Sequence, residues 1–483
     1  MNIVEPIFVQ CRHKPAEIAI AAPGTEFDIV SYSRLAHSVN NICYRIVSAG
    51  LEPGDRVAVF VGDPMFHAML LVALTRMGIV TISGRSRNFS WPFEVDAVIA
   101  DKPMPVSGGR MILAGSDWAT GNNKPLDAKF IYRASGDDLC RIFLTSGTTG
   151  EEKAIAVTHG MMAERIARQY MHFGSVISFS SRIFVDLGLT TSLGFQLLIA
   201  TLWRGGALFL AGDPQLTVNS FPIYSVQAMI ASPGGLQGFL EVVDKRPQYE
   251  CRFDAIWTGG SNVPAALSER ARARLCANLT IAYGSTEATM VASMPAQFAS
   301  GISGAAGYVL PGITVEIVDG NHRPLPVRKE GAVRIKSKFG AKEYFGDPKE
   351  SARSFRDGWF YPGDIGYLTA DSMLVISGRE KATLDVGGEK ISPERIEEIL
   401  LAHPGVAQAA VFGVPDELGM EQVCALIVPR TYVDADTLRA HCAERIAWQL
   451  VPARFLTVAE IPRNEAGKIL RQKLPELAKM KSN

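Results

Sequence analysis

The chain has 483 residues, with 49 Lys and Arg against 49 Asp and Glu, and it is 47% hydrophobic and 20% charged. This is the composition of a packed globular protein, so disordered and fibrous classes are excluded, and at roughly 100–200 residues per domain a lone small module is excluded too. Zero formal net charge leaves no global pull towards nucleic acid or an anionic membrane, and neither is expected as a partner.

The amino-terminal stretch MNIVEPIFVQCRHKP lacks the basic segment, apolar run and small-residue cleavage site of a secretory leader. Seven scattered cysteines (Cys11, Cys43, Cys140, Cys251, Cys276, Cys424, Cys442) include no CxxC pair. They predict reduced thiols in a cytoplasmic protein. Residues 55–62 (DRVAVFVG) predict a strand, and residues 65–77 (MFHAMLLVALTRM) predict the helix that follows it, a first βα unit. The most membrane-like stretch is 193–212 (LGFQLLIATLWRGGALFLAG), but Gln196 and Arg204 interrupt it and paired glycines lie near its end. A buried helix turning into a strand is predicted there, with no integral membrane segment. Further strands are predicted at 140–145, 207–211, 255–258 and 279–283, each running into Gly, Ser or Thr. Alternating strands and helices predict parallel sheets covered by helices, whose ligands sit beyond the carboxyl ends of the strands. From about residue 313 the short runs TVEIVDG, GAVRIKSK and SMLVISG predict a β-rich subdomain. A helix capped by Ser392 with Pro393 in its first turn, strands at 408–414 and 422–429, and a helix at 435–446 predict a small α+β unit at the end.

Five clusters carry chemistry. Residues 142–153 (IFLTSGTTGEEK) are a buried-strand pattern ending in small and hydroxyl residues and then Lys153. Glycines free the backbone amides to turn inward, hydroxyls add donors and the lysine adds a cation, all suited to phosphate oxygens. The Walker pattern is excluded because Glu152 stands where its second glycine is required and Ala154 follows the lysine. Taken alone, the run is also compatible with a surface Gly/Ser/Thr loop. Residues 281–287 (IAYGSTE) offer an aromatic face, a hydroxyl and a carboxylate, suited to a base, a phosphate and Mg2+, and equally to a helix cap after a strand. Gly259, Gly260 and Ser261 either let a flat base lie close to the backbone or make a plain turn. Asp364 in DGWFYPGD suits two sugar hydroxyls, and Arg379 in SGREK follows it by fifteen residues; a turn and a surface ion pair fit as well. Finally, IPRNEAGKI presents Lys468 on a glycine turn, although a lone lysine is usually solvated.

In this order the five clusters resemble the adenylate-forming superfamily of acyl- and aryl-CoA synthetases, amino-acid adenylation domains and luciferases. TSGTTGEEK is similar to its phosphate loop, YGSTE to its adenine and Mg2+ motif, GWFYPGD to its ribose motif, GREK to its hinge and PRNEAGK to its catalytic-lysine loop. The resemblance covers about residues 10–475. It implies an α/β fold with a large N-terminal domain, residues 1–380, of two doubly wound α/β subdomains plus a β-rich subdomain. A small mobile α+β C-terminal domain, residues 381–483, would swing between two half-reactions. It further implies that Thr145, Ser146, Gly147, Thr148, Thr149, Gly150 and Lys153 hold the β- and γ-phosphates of ATP. Gly260, Tyr283 and Gly284 would frame the adenine, Thr286 would bond the α-phosphate, Glu287 would hold Mg2+, and Asp364 and Arg379 would fix the ribose. Lys381 would be the hinge and Lys390 would approach phosphate or thiol, while Lys468 would bridge the carboxylate and the α-phosphate in the first step only. Three positions depart from the family pattern: Glu152 replaces Pro, Ala154 replaces Gly, and Pro362 replaces a Thr whose hydroxyl would lie near the nucleotide.

The resemblance implies ATP-dependent activation of a small carboxylic acid to an acyl-adenylate, with pyrophosphate release, followed by transfer to a thiol. Its acid pocket falls on a helix around 186–198 with Asp186 and Thr191, on Gly234, and on Gly304; these mostly small or apolar stretches predict an uncharged aryl or medium acyl tail. No carrier domain with a GGDSL-like serine follows Lys468, so the acceptor is expected in trans, CoA first and the phosphopantetheine of a separate acyl carrier protein second. Two other readings stay open: amino-acid adenylation through Asp186, and a nucleotide-binding protein whose catalysis Pro362 has impaired.

Overall fold

The computed structural model describes residues 1–83, 91, 93–106, 109–121, 124–146, 152–172, 182–246, 248–249, 252–299, 301–380, 384–386, 389–415, 421–464 and 467–480. A first sheet has six strands in the spatial order Arg110–Leu113, Ala97–Ala100, Arg56–Phe60, Val80–Ser83, Leu139–Ser146 and Glu152–Thr158. All neighbours are parallel except the last pair, a hairpin. Its inner strands read as unbroken apolar runs because both faces are covered, as in Ala97–Ala100, where every residue is buried. The helix Pro64–Arg76 starts where Asp63 accepts the Phe66 N–H and Pro64 fills the first turn, and nearly all of its side chains are buried.

A second sheet is parallel through Ile18–Ala21, Ala207–Leu210, Arg182–Val185, Ala228–Ala231, Ala255–Gly259 and Leu279–Ser285. It then continues, without a break in hydrogen bonding, into the antiparallel strands Thr289–Pro295, Ala305–Val309, Met373–Arg379, Asp364–Leu368 and Gly331–Ser337. The β-rich part is therefore an extension of this sheet rather than a detached layer. The strand Leu279–Ser285 is the seam, with a parallel neighbour on one edge and a hairpin partner on the other.

The membrane-like stretch is the buried helix Ser192–Trp203 followed by the strand Ala207–Leu210, and Gly205 makes the turn at φ +70°. Among the described residues no helix is long and apolar enough to cross a membrane. This helix begins six residues later than the predicted 186, because Thr191 caps it by accepting the Gly194 N–H, and residues 186–191 instead lead out of the strand Arg182–Val185.

The last hundred residues bury their own cores. The strands Val406–Pro415, Glu421–Pro429 and Arg454–Thr457 form a separate sheet. Alternation sends Val411 and Ala425 to one face, where they meet Ile396, Leu400 and Leu438 of the helices Pro393–Leu401 and Ala435–Ala443. Ala410, Phe412, Cys424 and Leu426 point the other way, onto Leu474 and Ala478 of the helix Leu474–Met480. The helix predicted over 435–446 stops at Ala443. Six cysteines are buried thiols without a disulfide; Cys251 lies outside the described residues.

Candidate active site

A cleft of about 2140 Å³ opens beyond the carboxyl ends of the strands Ala228–Ala231, Ala255–Gly259 and Leu279–Ser285, and the C-terminal segment roofs it. That exceeds the roughly 300–1,000 Å³ of a site for one small ligand, so two substrates have room to meet.

On one side, Asp364 and Arg379 are directly paired across adjacent antiparallel strands, with Arg379 Nε 3.1 Å from Asp364 Oδ1. The Tyr283 hydroxyl donates to the other oxygen, Oδ2, at 2.5 Å. Burial and the charge of Asp364 push the Tyr283 phenol well above its ordinary value, so it stays a donor. Asp364 is itself buried. A carboxylate has about four acceptor positions, so these two bonds leave capacity for a pair of sugar hydroxyls. Gly260 and Gly284 lie in the same wall. At Gly284 a Cβ would come 2.3 Å from the Thr289 carbonyl oxygen, at the point where the hairpin register shifts, so only glycine fits.

Thr145 and Lys153 face each other across the hairpin Leu139–Ser146 and Glu152–Thr158, which brings both to one spot. Lys153 Nζ pairs with Glu350 Oε1 at 2.5 Å and lies 4.7 Å from the centroid of the Tyr344 ring. Glu287, buried, accepts on Oε1 from the Thr145 hydroxyl at 3.3 Å and from the Tyr344 hydroxyl at 3.2 Å. A buried carboxylate beside a hydroxyl is a hard oxygen donor set, the kind Mg2+ takes when phosphates and waters complete its shell. Thr286 lines the cleft as well. Gly147, Thr148, Thr149 and Gly150 lie outside the described residues, and Ser146 is described only as the end of its strand. Sequence reasoning missed Glu350 and Tyr344. Asp347-Pro348 before Glu350 signals the helix start seen at Pro348–Ser354, but nothing local signals its meeting with Lys153.

Lys468 enters the cleft from the roof, its backbone N–H held by Asn464 Oδ1 at 2.9 Å. The loop sits on the N-terminus of the helix Pro233–Asp244. A Cβ on Gly467 would lie 2.3 Å from Ser232 Oγ, and one on Gly234 would lie 3.3 Å from Arg463 Cδ. Arg471 anchors the loop from below, bonding Glu397 and Glu394, each at 2.7 Å, and the Val411 carbonyl at 2.7 Å. Lys381 is outside the described residues, and Lys390 is described only as part of the strand Glu389–Ile391.

Of the residues expected in the acid pocket, Thr191, Gly234 and Gly304 line the cleft. Asp186 does not. Its carboxylate packs against Gly235, where a Cβ would clash at 1.5 Å from Oδ2, and burial pushes the group up to about 6. The expected small and apolar wall also carries polar groups, Arg165 and Gln169 from the unpredicted helix His159–His172 and Gln196 from Ser192–Trp203.

Residues 96–345, about half of the chain, match the AMP-binding enzyme family, and residues 395–468 match the AMP-binding enzyme C-terminal domain. The fatty acid–(acyl-carrier-protein) ligase ScoC of Streptomyces coeruleorubidus is 28% identical, with 98% of this chain and 96% of that protein covered. A 2-succinylbenzoate–CoA ligase of Bacillus velezensis is 30% identical over 71% of this chain and 70% of its own. The o-succinylbenzoate CoA synthetase of Bacillus subtilis, solved with its acyl-adenylate intermediate, has the same fold, with a TM-score of 0.80 at 22% identity and 97% of both chains covered. With the family's two regions matched in order around one cleft, the chain belongs to the adenylate-forming family of AMP-binding enzymes.

Proposed function

We propose that this cleft activates a carboxylic acid with ATP, releasing pyrophosphate to give an acyl-adenylate, and then passes the acyl group to a thiol. The observation that carries the reading is the convergence of Tyr283, Asp364, Arg379, Lys153, Glu287 and Lys468 on one cleft. A carboxylate is a poor electrophile, so it must attack the α-phosphorus as a nucleophile, and two anions then have to meet. The Lys468 ammonium neutralises the charge where they approach, and Thr286 donates to the α-phosphate. Lys153 exchanges Glu350 for the outer phosphates, with Thr145 beside it. Glu287 would hold Mg2+, which would supply further neutralisation of the phosphate charge. Tyr283 packs against the base while its hydroxyl fixes Asp364 for the ribose. The docked C-terminal unit keeps water from the mixed anhydride.

In the second step Lys468 occupies the space that a thiol needs. A C-terminal unit of residues 381–483, turning on residue 381 against residues 1–380, removes it. The separate C-terminal cores support a unit able to move as a body. CoA is the first acceptor proposed. The alignment with a fatty acid–(acyl-carrier-protein) ligase along nearly the whole chain supports a carrier-protein phosphopantetheine as the second. Reduced thiols at all six described cysteines suit a cytoplasmic site of action. ATP–pyrophosphate exchange across a panel of carboxylic acids, followed by thioester assays with CoA and with a phosphopantetheinylated carrier protein, tests both steps. Acid-dependent exchange and a thioester with one acceptor are expected. Exchange with no acid would refute the activation, and an acyl-adenylate that neither thiol consumes would refute the transfer.

A further inference from the structure

Arg165 is 2% exposed and lines the cleft, yet Nε, Nη1 and Nη2 all lack a hydrogen-bond partner among the described residues. Burying a guanidinium without a partner is costly, and folded proteins pair such charges. Arg141, also fully buried, shows the ordinary solution in this same fold through its two terminal nitrogens, which donate to Thr81 Oγ1 and to the Leu189 carbonyl, each at 2.9 Å. The acid whose charge reaches Arg165 is Glu287, already bonded by Thr145 and Tyr344. Arg165 therefore stands in the cleft wall with all three guanidinium nitrogens closed to solvent and unpartnered among the described residues, so a group that bonds them has to part that wall.

Its surroundings place it in the acid wall. Gln169 lies one helical turn on, and its amide donates to Gln196 Oε1 at 2.6 Å, while Gln196 donates to Ser192 Oγ at 2.8 Å, next to Thr191. Gln169 Oε1 is also unpartnered among the described residues. Leu187, Leu193 and Ile230 supply apolar lining nearby. The tail pocket is thus apolar with an unpaired cation just beneath its wall, an arrangement mismatched to a plain acyl or aryl tail. Tyr283, Asp364 and Arg379 already satisfy one another on the nucleotide side, so they offer Arg165 no partner.

We infer that Arg165 receives a second anionic oxygen group on the substrate, so that the acid activated here is a dicarboxylic acid. The inference rests on the activation reading above and narrows its substrate class. A planar guanidinium bonds a carboxylate in a two-pronged fork, which also fixes the distance from that group to the carboxylate that reacts. This departs from the uncharged tail that the small residues of the pocket suggest.

The test uses the whole chain, wild type and Arg165→Met, with short aliphatic and aromatic dicarboxylic acids and the monomethyl ester of each. Thermal shift reads binding and pyrophosphate exchange reads activation. Without ligand, Arg165→Met is expected to melt at or above wild type, since an orphan charge is replaced by an apolar side chain, and this establishes folding. With wild type, at least one diacid should raise the melting temperature and exceed its monoester at least ten-fold in kcat/KM for exchange. Arg165→Met should abolish both preferences while leaving monoester exchange within about three-fold. Diacid-selective binding without exchange would sustain the inference and refute the activation. Equal loss by Arg165→Met on diacids and monoesters, wild-type preference for the monoesters, or no selective binding of any diacid would overturn it. A stabilisation by inorganic pyrophosphate that Arg165→Met loses would assign the arginine to the nucleotide and overturn it as well.

Discussion

Gly467→Ala is the substitution whose effect follows most directly from the docked lysine loop. Gly467 sits at φ +73°, where an L-residue costs about 1–2 kcal/mol, and its new Cβ would lie 2.3 Å from Ser232 Oγ and 2.7 Å from Ser232 Cβ. Ser232 has to turn away and give up its 3.0 Å bond to the Gly235 N–H, a helix cap worth about 1 kcal/mol. Both terms are felt in the docked arrangement, because an undocked loop relaxes. Their sum of about 2–3 kcal/mol corresponds to a loss of about 30- to 150-fold in acid-dependent pyrophosphate exchange. The acyl-adenylate, synthesised separately and supplied with the thiol, should still be converted to thioester within about three-fold of wild type. Melting temperature should change little, since the overlap is with the other unit and not within a core. Equal losses in both half-reactions, or exchange within three-fold of wild type, would refute the docked geometry as the adenylating state.

Lys468→Ala should abolish pyrophosphate exchange and spare thioester formation from supplied acyl-adenylate; loss of both would remove its assignment to the first step. Arg471→Met strips the buried Glu397 of its cation, at a cost of about 3–5 kcal/mol, and the double variant Glu397→Gln/Arg471→Met should recover part of it in urea unfolding; a single variant as stable as wild type would contradict the network. Burial raises Asp186 from 3.8 to about 6, so its stability contribution is fully present below pH 3.8 and is lost as pH rises through about 6. Asp186→Asn should therefore exceed wild type by up to about 3 kcal/mol above pH 7 and lose that margin towards pH 4 in thermal melts, whereas a difference independent of pH would contradict the buried charge.

The sequence was most legible where one short segment contains both its structural cue and its chemical groups. Residues 281–287 are such a segment, with a strand that ends on an aromatic, a glycine and a carboxylate, and Ser392-Pro393 announced its helix just as plainly. What stayed hidden depends on distant segments meeting. Glu350 reaches Lys153 from 197 residues away, and Tyr344 reaches Glu287 across 57 residues. The continuity of the β-rich strands with the parallel sheet depends on both edges of one strand, Leu279–Ser285, and residue patterning does not reveal what lies beyond an edge. Asp186 was expected on a pocket helix through the family resemblance; the helix starts only at Ser192, and the Asp186 carboxylate packs on Gly235 of a neighbouring helix, a meeting that no local pattern signals. Arg165 sits on an amphipathic helix where an arginine ordinarily faces solvent.

The central claim is that an acid's own oxygen attacks the α-phosphorus of ATP in this cleft. Turnover of a carboxylic acid labelled with oxygen-18 in both carboxylate positions, with ATP and the thiol in ordinary water, measures it directly. One labelled oxygen should appear in AMP for each acyl group transferred, with none in pyrophosphate. Unlabelled AMP, or formation of ADP in its place, would contradict the account.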